Sequence, residues 1–67
     1  MDFEIQSDYI ELIKLLKIVG IAETGGMAKQ IVENEEVSYN GVIDTRKRLK
    51  IRKGDQLIVH DIEINII

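Results

Sequence analysis

The chain has no cysteine and no proline, a single histidine (His60), and aromatic residues at only 4%. Without cysteine there are no disulfides and no thiolate metal sites, and one histidine cannot form a cluster of histidine ligands. Enzyme chemistry has little to work with. There is no thiol nucleophile, no serine triad around His60, and no carboxylate pair placed beside it apart from the adjacent Asp61. Neither catalysis nor a metal or other cofactor is expected. So few aromatics also argue against a base-stacking platform for single-stranded nucleic acid. No run approaches the roughly 20 apolar residues of a membrane helix. The opening Met1-Asp2-Phe3-Glu4 lacks the basic-then-apolar pattern of a signal peptide. The lack of cysteine suits a reducing cytoplasm, which is the expected location, with no membrane partner.

What is present is one small domain's worth of foldable sequence, residues 1–67, with 45% hydrophobic residues. A chain this short buries only about 60% of the surface it exposes when unfolded, so its core is thin. The net charge of -3 conceals a segregation. Residues 1–45 hold three basic groups (Lys14, Lys17, Lys29) against nine acids. Residues 46–53, Arg-Lys-Arg-Leu-Lys-Ile-Arg-Lys, hold six basic groups and no acid. The remainder adds three acids: Asp55, Asp61 and Glu63. An anionic partner responds to such a local patch rather than to the total.

Phe3-Glu4-Ile5 alternates and predicts a short first strand. Ser7 and Asp8 offer side-chain oxygens for a helix start, and Asp8 with Glu11 fits an acidic capping box opening a helix from about Tyr9 to Val19. Its apolar residues Tyr9, Leu12, Ile13, Leu15, Leu16 and Val19 share one arc, with Lys14 and Lys17 pointing away. Gly20 stands where a left-handed closing residue is wanted. Thr24 is read as the N-cap of a second helix, with Gly25-Gly26 in its first turn and its end near Asn34-Glu35. Val37-Ser38-Tyr39, the hairpin dipeptide Asn40-Gly41 and Val42–Thr45 predict a β-hairpin. The basic segment reads as a loop or, because Leu49 and Ile51 alternate with charges, as a half-buried strand over 47–52 with Arg48, Lys50 and Arg52 on one face. After a Lys53-Gly54-Asp55 turn, Gln56–His60 and Ile62–Ile66 read as two more strands. The expected fold class is α+β in the order β-α-α-β-β-β-β: two N-terminal helices packed on a small, mostly antiparallel sheet.

From about Tyr9 to Val59 this succession resembles the RNA-binding domain named after the fourth protein of the small ribosomal subunit, the S-four domain. The resemblance rests on Leu12-Ile13-Lys14-Leu15-Leu16-Lys17, on Thr24-Gly25-Gly26-Met27-Ala28-Lys29, on Val37-Ser38-Tyr39-Asn40-Gly41, and on Lys53-Gly54-Asp55. The short chain and double glycine are most similar to small stand-alone bacterial members. Two departures stand out. Glu35 occupies the place where the family commonly has a glycine, with Asn34 as the candidate left-handed residue instead. Asp8 and Glu11 lie where many members carry arginine.

The resemblance implies the αL RNA-binding motif, with structured RNA held across the helix pair and the adjacent basic loop. Ribosomal or transfer RNA is the implied partner, and a ribosomal particle or its assembly proteins a further one. The residues it points to are Lys14, Lys17, Thr24, Gly25, Gly26, Lys29, Arg46, Lys47, Arg48 and Lys50. Their chemistry suits phosphate: backbone N–H groups at a helix start, and cations able to contact the backbone without reading sequence. Each also has a plain structural role open to it. Thr24 serves as an N-cap with glycines for close packing, the lysines as a solvated face, and the basic run as an edge strand protected against aggregation. An alternative function is a protein-interaction adaptor using the acidic N-terminal half and the stripe Ile62, Ile64, Ile66 and Ile67. Tyr9 and Tyr39 are read as packed rather than base-stacking, and His60 as structural.

Overall fold

A computed structural model describes all of residues 1–67. The chain forms β1 (Asp2–Phe3), β2 (Ile10–Glu11), α1 (Leu12–Ile18), α2 (Gly25–Glu33), β3 (Val37–Tyr39), β4 (Val42–Ile43), β5 (Lys50–Ile51), β6 (Gln56–Val59) and β7 (Ile62–Ile66). Five strands make one sheet in the order β1-β7-β6-β3-β4. All its pairings are antiparallel except β1 against β7, which runs parallel. The two helices pack on each other and bury Leu12, Leu15, Leu16, Ala28 and Val32 against Val37, Leu57, Val59, Ile64 and Ile66 of the sheet. The α+β class and the mostly antiparallel sheet thus stand as expected, with one additional short strand, β2, and with β5 inside the 47–52 stretch.

Those strands correct two expectations. The first helix starts at Leu12 rather than Tyr9, because Ile10–Glu11 pairs antiparallel with Lys50–Ile51. The Asp8/Glu11 capping box does not form. Ser7 Oγ instead donates to the Tyr9 carbonyl, and the N-cap position is Glu11, whose side chain makes no capping bond. The Leu12 N–H is satisfied across the chain by the Leu49 carbonyl at 2.9 Å. The basic segment is a strand only at Lys50–Ile51. Arg46 to Leu49 forms a turn closed by the Leu49 N–H on the Arg46 carbonyl at 3.2 Å, so Arg48 precedes the strand. Ile51 is fully buried and Leu49 nearly so, which ties this charged loop to the core. The return strand after Asn40-Gly41 is likewise shorter than expected, Val42–Ile43 only.

Both helices end in the same hydrogen-bonded motif. Gly20 N–H donates to the Lys17 carbonyl and Ile21 N–H to that of Leu16. Glu35 N–H donates to the Val32 carbonyl and Glu36 N–H to that of Ile31. This double closure requires a left-handed residue at its corner. Gly20 fills it at φ 84°, as read from the sequence. In the second helix the corner is Glu35 at φ 61°, whereas Asn34 keeps φ -82°. The expectation for Asn34 is therefore corrected by one residue: the bond pattern sets the position, whatever the side chain. His60 and Asp61, both at positive φ, form a second tight hairpin between β6 and β7 alongside Asn40-Gly41.

The turn before β6 is organised by Asp55. Its carboxylate accepts from Arg52 N–H (2.7 Å), Tyr39 Oη (2.9 Å) and Asn40 Nδ2 (3.2 Å), while Gln56 N–H donates to Asn40 Oδ1 (2.8 Å). Burial works to raise the Asp55 pKa, but the hydrogen bonds from Arg52, Asn40 and Tyr39 and the Arg52 charge prevail and hold it below the usual carboxylate value. Tyr39 is pushed up by burial and by its bond to Asp55.

Two outcomes follow from these geometries. Glu35→Gly removes a left-handed penalty and stabilises the fold by about 1 kcal/mol, a rise in Tm of roughly 4–8 °C for a domain of this size, whereas Glu35→Ala gives no such gain. Calorimetry on the two variants distinguishes them. Asp55→Ala destabilises by about 2 kcal/mol at neutral pH. Because the folded-state pKa is depressed, this contribution is present above the unfolded value of about 3.9 and is lost as pH falls through the folded one. Denaturant titrations should show the gap between wild type and variant narrowing as the pH falls below the unfolded value of about 3.9.

Candidate nucleic-acid interface

The helical period places Lys14, Lys17 and Ile18 on the outer face of α1. Helix α2 brings Lys29 to the same side, and the turn before β5 brings Lys47 and Arg48. Together with Glu11 and Ile13 these residues line one shallow depression of about 560 Å³. Five cations thus converge from three elements separated in sequence. Lys14, Lys17 and Lys29 have no carboxylate within ion-pair distance; Lys47 and Arg48 do.

Lys47 Nζ lies 2.6 Å from Glu33 Oε1 on α2, and Arg48 Nε lies 3.1 Å from Glu11 Oε2. The hydrogen bond and charge of Lys47 hold the Glu33 carboxyl below its ordinary value. Arg46 instead folds back on Asp44, with Nη2 at 2.7 Å from Oδ2 and its own N–H on Oδ1 at 2.9 Å. That contact lowers the Asp44 pKa and raises that of Arg46. All of these pairs have at least one well-exposed partner, so each contributes little to stability.

The remaining residues expected at the site lie outside the depression. Arg46 and Lys50 line a separate hollow of about 480 Å³ with Arg48 and Leu49. Lys50 Nζ sits 4.8 Å from the Tyr9 ring centre, with the Arg52 guanidinium 5.6 Å away, so Tyr9 is a half-exposed platform for cations. Thr24 caps α2 as expected, its Oγ1 accepting from Met27 N–H at 3.1 Å. A Cβ built at Gly25 meets nothing within 4 Å, and one at Gly26 only Thr24 Oγ1 at 3.8 Å. Neither glycine has a positive φ. Close packing therefore does not account for the pair, which leaves an open stretch of backbone at the helix start.

Three lining residues were not anticipated. Ile18 is 54% exposed and follows Lys14 by four residues, so helical spacing already puts it beside the lysines. Ile13 is the half-buried margin of the apolar arc. Glu11 meets Arg48 across 37 residues, a proximity no local pattern reveals. Elsewhere, His60 Nε2 contacts Glu36 Oε1, no group of three histidine or acidic side chains is placed to hold a metal ion, and no helix is long and apolar enough to cross a membrane. Of the C-terminal isoleucines, Ile64 and Ile66 are core, whereas Ile62 and Ile67 remain exposed.

Known proteins share this fold. YbcJ of Escherichia coli (strain K12) is 41% identical over 46 residues, which span 69% of this chain and 66% of that protein. YbcJ of Shigella flexneri matches to the same extent. The solution structure of Escherichia coli YbcJ, reported to reveal an αL motif involved in RNA binding, superposes with a TM-score of 0.75 at 30% identity, covering 98% of this chain and 85% of that one. Heat shock protein 15 of Vibrio cholerae, solved as a trimer, shares the fold with a TM-score of 0.71 at 24% identity, over 84% of this chain and 58% of that one. The S4 domain model matches residues 3–67, nearly the whole chain, and the protein belongs to the S4 domain family.

Proposed function

We propose that this protein is a non-catalytic module that binds structured RNA, ribosomal or transfer RNA in particular, through the helix pair and the basic turn before β5. The observation that carries the reading is the convergence of Lys14, Lys17, Lys29, Lys47 and Arg48 on one depression in a chain whose net charge is -3. A concave surface with three unpaired lysines suits two closely spaced phosphate backbones better than a lone strand. The open N–H groups of Gly25 and Gly26 offer a further phosphate contact. YbcJ, whose motif is described as involved in RNA binding, supports the reading. A ribosomal particle is the setting in which such a module meets folded RNA. The adaptor alternative retains less surface than the sequence suggested, since two of its four isoleucines are buried.

Fluorescence anisotropy with an RNA hairpin, a matched DNA duplex and a single strand tests the reading. The hairpin should bind most tightly, with log affinity falling linearly with log salt. Reversing Lys14, Lys17 and Lys29 to glutamate should weaken hairpin binding by at least tenfold, with the circular dichroism unchanged. The salt slope should flatten by about 0.7–0.9 for each phosphate the variant no longer neutralises. Equal affinity in the triple variant overturns the reading. Replacing Gly25 and Gly26 by alanine provides a second test with opposed readouts. The helix gains roughly 0.5 kcal/mol per position, so Tm rises, while RNA affinity falls if a phosphate approaches the bare backbone.

A further inference from the structure

Three consecutive cations of the basic turn each meet a carboxylate: Arg46 meets Asp44, Lys47 meets Glu33, and Arg48 meets Glu11. The first pair is local and shapes the turn, since Asp44 also accepts the Arg46 N–H. The other two bridge distant parts of the chain and bear on the cationic depression. Glu11 lines it, and Glu33 stands one helical turn after Lys29, which lines it too. Neither pair is needed to hold the turn in place. Leu49 and Ile51 anchor it in the core, and the Leu12 N–H bonds to the Leu49 carbonyl.

Both contacts are open to solvent, with side-chain exposures of 43% and 52% for Lys47 and Glu33, and 87% and 38% for Arg48 and Glu11. Arg48 gives only Nε to Glu11, so its terminal nitrogens remain available to start an exchange. Such exposed pairs correspond to at most about fivefold in an equilibrium constant, weak enough for a phosphate to displace.

We propose that Glu11 and Glu33 are intramolecular competitors of RNA phosphate, holding Arg48 and Lys47 in the free protein and exchanging them to the RNA backbone on binding. The proposal rests on the RNA-binding reading above. The two acids hold affinity below what the five cations alone would provide, which keeps binding reversible. They also blunt its response to salt, because salt weakens the competing pair together with the RNA contacts.

The test is hairpin affinity across a salt series for wild type, Glu11→Gln, Glu33→Gln, the double variant and Glu4→Gln. Glu4 is exposed and outside any ion pair, so its variant carries the same charge change without releasing a cation. Glu11→Gln and Glu33→Gln should each tighten binding about two- to fivefold, additively in the double variant, with a steeper salt slope; Glu4→Gln should change it by less than about twofold. In a Lys47→Met background the gain from Glu33→Gln should vanish. Unchanged or weaker binding in both variants, an equal gain from Glu4→Gln, or a gain that persists without Lys47 overturns the competition. Failure of the wild type to bind any RNA overturns instead the reading on which it rests.

Discussion

The structure depends on the burial of Leu49 and Ile51. These two side chains pull the most highly charged stretch of the protein into contact with α1, where the Leu49 carbonyl completes the helix start by accepting the Leu12 N–H and Ile51 pairs with Ile10. Apolar burial here does electrostatic work. Lys47 and Arg48 are brought beside Lys14, Lys17 and Lys29, like charges that would otherwise separate. Burying two aliphatic side chains yields roughly 3–6 kcal/mol, more than the screened repulsion among exposed cations in water.

The same juxtaposition brings acids with it. Glu11 and Glu33 reach two of the gathered cations, so the surface is partly self-neutralised rather than uniformly positive. Within the depression, then, the two cations of the basic run are paired, and the three lysines of the helices carry its unpaired charge. This arrangement is compatible with a stable fold at low cost, since each pair offsets repulsion where cations crowd.

Backbone geometry is the second organising constraint. Two helices close with one hydrogen-bond pattern, and two hairpins turn through paired positive-φ residues. Gly20 and Asn40-Gly41 announce these conformations by their chemistry. Glu35 and His60-Asp61 adopt them without doing so, because the surrounding bonds and strand pairing outweigh a local penalty of about 1–2 kcal/mol per residue. The Asp55 carboxylate then joins the Arg52–Asp55 turn to the Tyr39-Asn40 hairpin, fastening the start of β6.

Local order was legible in the amino-acid sequence wherever a short-range rule applies. Leucine spacing marked α1, Thr24 its cap role, Asn40-Gly41 its turn, alternating isoleucines the last strand, and the succession of motifs the family. The helical period likewise put Lys14 and Lys17 on one exposed face. Tertiary structure alone decided the rest, because each remaining feature joins residues far apart in the chain. The pairing of Ile10–Glu11 with Lys50–Ile51 shortened the first helix. The packing of Leu49 and Ile51 selected Lys47 and Arg48, and left Arg46 and Lys50 out of the shared depression. Glu11 became a partner of Arg48 for the same reason: a charge 37 residues away acts only once burial of apolar neighbours has offset the entropy of bringing it near.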